Sequence, residues 1–444
     1  MPTELKRELG LIDATMINLG TIIASAIFLV PSFIAQQLHA SSLVILAWLV
    51  GGAVSLLGAL SVAELGAAFP AAGGLFVYLR EAYGPVWGFL YGWANAVVIN
   101  PASIAAIAVG FATYFGHFVP LGGGAIKAVA IASILALTLL NCLGVRLGAT
   151  TQDVLTFIKV ALVGGLIVAG LLLPGGSADN FRPVWPDQPL GTLLGPFGLA
   201  MVAVLWAYDG WIECTYIGSE IKDPGRVVPR AIVLATLGAI VLYSLVTLAY
   251  IHVLSPARTA LSTEVAADAA RVTLGAAGAG LVAAAILIST LGANNGIVLT
   301  AARIPYAMAQ DGVMFRSIGW VHPRWRTPVT SLVVQAAIAI ALALSGDYEK
   351  LAGYVIFASF LFYALGCGAV VRLRHSRPDL ARPYRAWGYP VTPIVFIAFA
   401  TWLTINSIIE APRDAAVGAG LIVAGLPFYF YWRRSATRAA NQQV

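Results

Sequence analysis

The chain has 444 residues, 59% of them hydrophobic and only 10% charged, with a mean hydropathy of +0.86 and a net charge of +6. A water-soluble protein of this length needs far more charge to cover its surface, so the composition excludes a soluble enzyme or binding domain and specifies an integral membrane protein. A spanning helix needs about 20 apolar residues, and twelve stretches qualify, near 11–36, 42–69, 86–118, 125–145, 152–173, 192–219, 229–254, 277–309, 328–345, 350–372, 390–409 and 415–432. Met1 to Gly10 is polar and the segment after it is too long for the apolar part of a signal peptide, so no cleavable leader is expected.

Segment 1 carries small and polar residues at its centre, Gly20-Thr21-Ile22-Ile23-Ala24-Ser25-Ala26-Ile27-Phe28. Segment 2 places Glu64 near its inner end, where a hydrogen-bonding role to a neighbouring helix outweighs a ligand contact. The connection 70–84 is too apolar for an ordinary loop and is expected to lie in the membrane interface. The loop from His117 to Ala125 has no cysteine, so a disulfide tether to a partner subunit is not expected there. Cys142, Cys214 and Cys367 fall in apolar segments without metal-type spacing and read as buried small hydrophobes.

Lys159 stands in segment 5 within a run that is apolar apart from Thr156, about 12 Å of helix rise past Thr151. A lysine at a helix centre costs on the order of 3 kcal/mol, so one that is present points to a role inside the bundle. Snorkelling to the cytoplasmic headgroups is the competing reading. Segment 6 is interrupted by Trp206-Ala207-Tyr208-Asp209-Gly210-Trp211, with Glu213 just beyond. Asp209 there suits a helix cap, which is compatible with a site role. Residues 255–276 are expected to form a short external helix. Segment 8 holds the hydroxyls of Ser289 and Thr290, weak signals alone because most such groups bond a carbonyl one turn back.

Two helices broken near mid-membrane, in corresponding halves of a chain, mark a secondary transporter. The breaks at 24–26 and 207–210 fit two five-segment repeats. Five is odd, so the second must be inverted. The expected organisation is one transmembrane domain over 1–434, made of 1–173, an inverted 192–372 and two further helices in 390–434, followed by a cytoplasmic tail, 435–444. Basic residues then orient it. With the N-terminus inside, the outer loops hold only Lys127, Arg182, Arg258, Arg271, Lys350 and Arg413, whereas the inner loops and tails hold nearly all the rest. Both termini are therefore expected in the cytoplasm. The positive charge belongs to this bias and implies membrane lipid, not nucleic acid, as its partner. No phosphate-binding loop, metal spacing or nucleophile elbow suggests an enzyme, a metal or a cofactor.

Several stretches together carry a family resemblance: Ile22 to Phe28 with Pro31; Ala59 to Leu65 followed by Phe69-Pro70-Ala71-Ala72-Gly73-Gly74; Trp206 to Trp211 with Glu220, Pro224 and Pro229; Gly292 to Gly296; Arg303; Asp311-Gly312; and Arg382-Pro383-Tyr384 with Gly388-Tyr389-Pro390. The chain resembles the amino acid–polyamine–organocation superfamily, and within it the L-amino acid transporter family in its prokaryotic form. The resemblance implies an all-α membrane protein of twelve transmembrane helices with the LeuT-like inverted five-plus-five repeat, helices 1 and 6 being discontinuous. It also implies that a substrate carboxylate meets the N–H groups of Ser25, Ala26 and Ile27 beside Ala24. The ammonium would meet carbonyls of Ile22, Trp206 and Asp209 at the Tyr208–Gly210 break, with Trp206 as aromatic gate and Tyr243 a further pocket residue. Lys159, with Ser289 or Thr290, would stand where sodium-coupled relatives hold sodium. The family's first break is usually Gly-Ser/Ala-Gly; here it is Ala24-Ser25-Ala26. The expected function is sodium-independent transport of a small neutral L-amino acid across the cytoplasmic membrane, by exchange or proton coupling. The alternatives are a transporter or antiporter of cationic amino acids or polyamines, and a non-transporting sensor.

Overall fold

The computed structural model describes residues 4–186, 188–346, 348–410 and 412–441. Residues 1–3 and 442–444, the ends of the expected domain and tail, lie outside them. The chain opens with α1 (Leu11–Ile22), α2 (Ala26–Leu29) and α3 (Pro31–Leu38), then the long α4 (Ser41–Ala68). Next come α5 (Leu75–Tyr83) and α6 (Pro85–Ala94). A π-helical turn, Asn95–Ile99, joins α6 to α7 (Asn100–Phe115). The first half closes with α8 (Gly123–Cys142) and α9 (Val145–Leu172). The second opens with α10 (Leu194–Tyr208), the single turn α11 (Glu213–Tyr216) and α12 (Pro224–Leu261). There follow α13 (Val265–Leu274), α14 (Ala276–Ala301), α15 (Arg303–Gln310), α16 (Val329–Ser345) and α17 (Tyr348–Ser376). The chain finishes with α18 (Val391–Glu410), α19 (Pro412–Val423) and α20 (Leu426–Asn441). Among the described residues the only β pairing is three isolated bridges.

Ten helical segments are long and apolar enough to cross a membrane among the described residues, so this is a multi-pass membrane protein. The expected ninth and tenth segments coincide with α16, a shorter apolar helix of 17 residues, and with α17. The expected seventh segment starts earlier than the hydropathy suggests, because Pro224 and Pro229 are accommodated in the first turns of α12. Its end is sharp. Ser255, the residue before Pro256, leaves the helical region (φ 61°, ψ 158°). The short helix expected within 255–276 is α13.

The connection 70–84 departs from expectation. It is folded into the protein, with Leu75, Phe76, Val77, Tyr78 and Leu79 all buried and α5 packed on α6 and α17. Gly73 N–H donates to Tyr216 O at 2.9 Å, which fastens this segment beneath the second break. Its apolar residues serve protein packing, a use that composition alone does not distinguish from lipid contact.

At the centre α1 is surrounded by α9, α11, α12 and α14, while α10 packs on α3, α4 and α18. Two buried carboxylates are neutralised in place. Glu64 on α4 meets Arg374 (2.5 and 2.9 Å), Arg382 (3.2 Å) and the N–H of Ala386 (2.7 Å), the structural role expected of it. Arg303 and Glu220 form a two-pronged pair, 2.7 and 3.0 Å, with both side chains fully buried. Glu220 O also accepts the N–H groups of Glu8 and Leu9, and Lys222 N–H donates to Leu9 O, so the N-terminal stretch is stitched to the segment after α11.

Candidate functional site

Both interruptions have a local cause. Ile23 (φ −76°, ψ 75°) turns the chain out of α1, and Ser25 returns it to helical geometry for α2. Ala26 and Ile27 are then in the first turn of a helix, and Ser25 precedes it. Among the described residues no main-chain carbonyl accepts from these three N–H groups. In the second half Asp209 (φ −63°, ψ 148°) ends α10 and Gly210 adopts φ +113°. A Cβ on Gly210 would sit 3.0 Å from Ile22 N and 3.1 Å from the Thr21 carbonyl carbon. The two broken helices therefore cross backbone against backbone, and only glycine permits the approach and the dihedral together.

Asn18 spans that crossing. Its Nδ2 donates to Trp211 O and its Oδ1 accepts Cys214 N–H, each at 2.7 Å. One amide thus satisfies a carbonyl and an N–H that the second break leaves without helical partners. Tyr243 works similarly: its hydroxyl lies 2.7 Å from Ile22 O and 3.0 Å from Ala207 O. Because Ala24 N–H also donates to Ile22 O, at 2.8 Å, that carbonyl already accepts two bonds.

A cavity of about 110 Å³ lies where the breaks meet. From the first break Thr21, Ile22, Ala24, Ser25 and Ala26 line it, and from the second Trp206, Asp209, Gly210 and Glu213. The π turn and the start of α7 contribute Asn95 and Asn100, and Tyr363 and Tyr216 close another side. Asp209 Oδ1 accepts Gly210 N–H (2.9 Å) and the Tyr363 hydroxyl (2.7 Å). Trp206 stays 38% exposed at the wall.

Lys159 does not snorkel. It is 1% exposed, and its ammonium donates to Gly20 O (2.7 Å), Ile23 O (2.8 Å) and Ser289 O (3.0 Å). Ser289 Oγ reaches Ile23 O and Ala24 O at 3.0 and 3.1 Å. A cation thus caps the carbonyl end of α1, the end where the helix dipole favours positive charge. Gly292 gives it room, since a Cβ there would lie 3.1 Å from Lys159 Cε.

The structure brings together most of the residues singled out from sequence. Ile22, Ala24, Ser25, Ala26, Trp206, Asp209 and Gly210 share the cavity, and Lys159 with Ser289 sits behind it. Four residues stand elsewhere. Tyr208 turns away from the cavity to pack on Trp48 and Tyr243, its hydroxyl on Trp48 O. Tyr243 supports the breaks from outside the lining, and Ile27 is buried in the apolar core. Thr290 bonds Ile286 O on its own helix, the back-bond usual for a membrane hydroxyl, instead of joining Lys159. The sequence reading missed Asn18, Asn95, Asn100, Tyr216 and Tyr363. The signal available for the first three was an amide within an apolar run.

A family model described as amino acid permease matches residues 9–431. The chain belongs to the amino acid permease family. The permease is 32% identical over 429 residues to the serine/threonine exchanger SteT of Bacillus subtilis, covering 96% of this chain and 97% of that relative. It is 34% identical over 434 residues to the b(0,+)-type amino acid transporter 1 of Mus musculus, covering 96% and 88%. To the large neutral amino acids transporter small subunit 2 of Oryctolagus cuniculus it is 30% identical over 447 residues, covering 97% and 81%. The resemblance to the amino acid–polyamine–organocation superfamily and its L-amino acid transporters therefore holds over nearly the whole length. The permease is an amino acid transporter, not an enzyme.

Proposed function

We propose that the permease moves small neutral L-amino acids across the cytoplasmic membrane by alternating access, independently of sodium, through exchange or proton coupling. The observation that carries this reading is the cavity at the crossing of the two broken helices. Ser25 and Ala26, whose N–H groups have no main-chain acceptor among the described residues, line it on one side, and Trp206 and Asp209 on the other. Such a pairing suits a zwitterion, with carboxylate on the donors and ammonium on the acceptors. Its volume is small beside the roughly 300–1,000 Å³ of pockets that take drug-sized ligands, which favours compact substrates. Lys159 takes the place of a sodium ion by holding the carbonyl end of α1. The reading includes twelve spans, the inverted repeat 1–173 and 192–372, both termini in the cytoplasm and no disulfide-linked heavy subunit. Similarity to a serine/threonine exchanger and to a large neutral amino acid transporter supports the substrate class.

The test is uptake of labelled L-serine, L-alanine, L-leucine and L-arginine into proteoliposomes, with sodium or choline as the bulk cation. The expected result is sodium-indifferent uptake of the neutral members, faster in vesicles preloaded with the same amino acid. Uptake of arginine with none of the neutral members overturns the reading.

A further inference from the structure

Four acidic side chains are buried among the described residues: Asp13, Glu64, Glu213 and Glu220. Three have an arginine within ion-pair distance, namely Arg146 for Asp13, Arg374 and Arg382 for Glu64, and Arg303 for Glu220. Glu213 has none among the described residues, although it is only 8% exposed and lines the cavity. An ionised carboxylate buried without a counter-charge is strongly disfavoured.

Its hydrogen-bonding neighbour among the described residues bears on the proton count. Glu213 Oε2 touches Thr300 Oγ1, and the same Thr300 Oγ1 lies 2.9 Å from Gly296 O on its own helix. A hydroxyl has one proton, and neither a carboxylate nor a carbonyl brings another. If that proton goes to Gly296 O, the contact with Glu213 lacks one. A neutral Glu213 supplies it: its carboxyl O–H donates to Thr300 Oγ1, whose own O–H donates to Gly296 O. Glu213 Oε2, Thr300 Oγ1 and Gly296 O are then each satisfied.

Among the described residues no cation stands within ion-pair distance of Glu213. Asp209 faces Glu213 from the end of α10, Tyr91 from α6 and Tyr363 from α17; Cys214 and Tyr216 accompany it on α11. From α14 it meets Thr300, and Asn18 of α1 bonds the neighbouring Cys214; neither titrates, and α12 presents no charged partner to it among the described residues. The buried cations Lys159 and Arg303 are committed elsewhere, to main-chain carbonyls and to Glu220.

We propose that Glu213 is a proton-binding site in the wall of the substrate cavity, protonated when the cavity is closed around it, and that it carries one proton with each amino acid. The proposal deepens the transport reading and rests on it. The cycle balances simply: the carboxyl takes up a proton when the cavity opens to one side and releases it as a hydrated proton when water reaches it from the other. No bond other than O–H forms or breaks.

Two measurements on the full-length protein test this. The first needs no transport: infrared difference spectra of the parent and Glu213→Gln at neutral pH. A protonated carboxyl C=O band present in the parent and absent in the variant supports the proposal, and a parent without that band overturns it. The second uses proteoliposomes with L-serine outside and a trapped pH-sensitive dye. The parent should acidify the lumen during serine uptake, and an acid exterior should speed that uptake. Glu213→Gln should lose both responses and Glu213→Asp should keep them; a parent indifferent to pH, or a Gln variant that responds as the parent does, overturns the proposal.

Thr300→Val supplies a sign. If Thr300 accepts the carboxyl proton, removing it weakens the neutral form and moves the pH midpoint of uptake down by about one unit. An upward move means that Thr300 donated to an ionised Glu213, and overturns the proposal. Should no amino acid be transported at all, the transport reading fails while the infrared band still decides the protonation state of Glu213.

Discussion

Lys159 has three ammonium protons and three carbonyls to receive them. Truncation to alanine removes a charged donor from Gly20 O, Ile23 O and Ser289 O in a buried place, and a carbonyl left without any partner there costs roughly 1–3 kcal/mol unless water enters. The end of α1 should then lose its fixed position while the surrounding helices persist. Lys159→Ala is therefore expected to fold but to transport at least about tenfold more slowly, the change that 1.4 kcal/mol produces. Uptake rates at matched protein amounts check this, and parental rates would return Lys159 to a packing role. The first break gives a second prediction. Ala24 and Ala26 place methyl groups at the cavity wall, so Ala24→Gly and Ala26→Gly should admit larger side chains. A methyl-sized change is worth about 1–3 kcal/mol, so the effect should be graded, tens-fold at most. Inhibition by a series of amino acids in parent and variants measures it, and identical profiles mean that these methyls do not shape the site. At this scale the sequence was most legible where one residue violated its surroundings. Lys159 in an apolar run was visible for that reason. Asn18, Asn95 and Asn100 were harder to see, because a lone amide in a membrane helix is compatible with a simple back-bond, and Asn95 does make one to Tyr91 O.

The broken helices are legible as elements because small and polar residues collect where the backbone leaves the helix. Their contact is not, since it depends on where two segments some 190 residues apart are brought by everything between them. Gly210 is the point of closest approach. In Gly210→Ala a Cβ would press on Ile22 N and Thr21 at about 3 Å, from a φ of +113° that alanine resists. Strain of that kind costs on the order of 1–3 kcal/mol. The variant should unfold a few degrees below the parent in detergent and lose most of its transport. A variant with parental melting and transport would mean that the crossing relaxes without consequence. The π turn at Asn95–Ile99 was likewise invisible in hydropathy, which reads α7 and α6 as one segment. One extra residue in the turn re-aims the side chains that follow, and here the turn and the residue after it bring Asn95 and Asn100 to the cavity. The connection 70–84 failed in the opposite sense: its apolar character was read correctly, its neighbours were not.

Across the whole molecule, the ten membrane-length helices among the described residues followed from hydropathy, but the clamps between them did not. Glu220 and Arg303 are both fully buried and separated by 83 positions. Nothing in their local sequence announces the pair. Arg303→Met should leave Glu220 uncompensated and destabilise the protein by about 3–5 kcal/mol, whereas adding Glu220→Met should recover much of the loss, since a buried ion pair often gains little over an apolar pair of similar volume. Thermal unfolding of the three proteins in one detergent checks this, and additive losses in the double variant would contradict it. The same logic applies to Glu64, where three donors converge from α17 and the segment after it.

The ammonium of Lys159 is bolted to the chain, and that limits the work the transporter can extract from its surroundings. A dissociable cation in that place would travel with the cargo, enter the overall stoichiometry and bring with it the free energy of its own gradient, including about 2.3 kcal/mol for each elementary charge per 100 mV of membrane potential. A tethered one returns to its starting point at the end of every cycle and contributes nothing to the balance. On the function proposed above, the steepest accumulation this molecule can sustain is then set by whatever else crosses with the amino acid: a second amino acid leaving, or a proton entering. Supplying more sodium outside should not raise the ceiling.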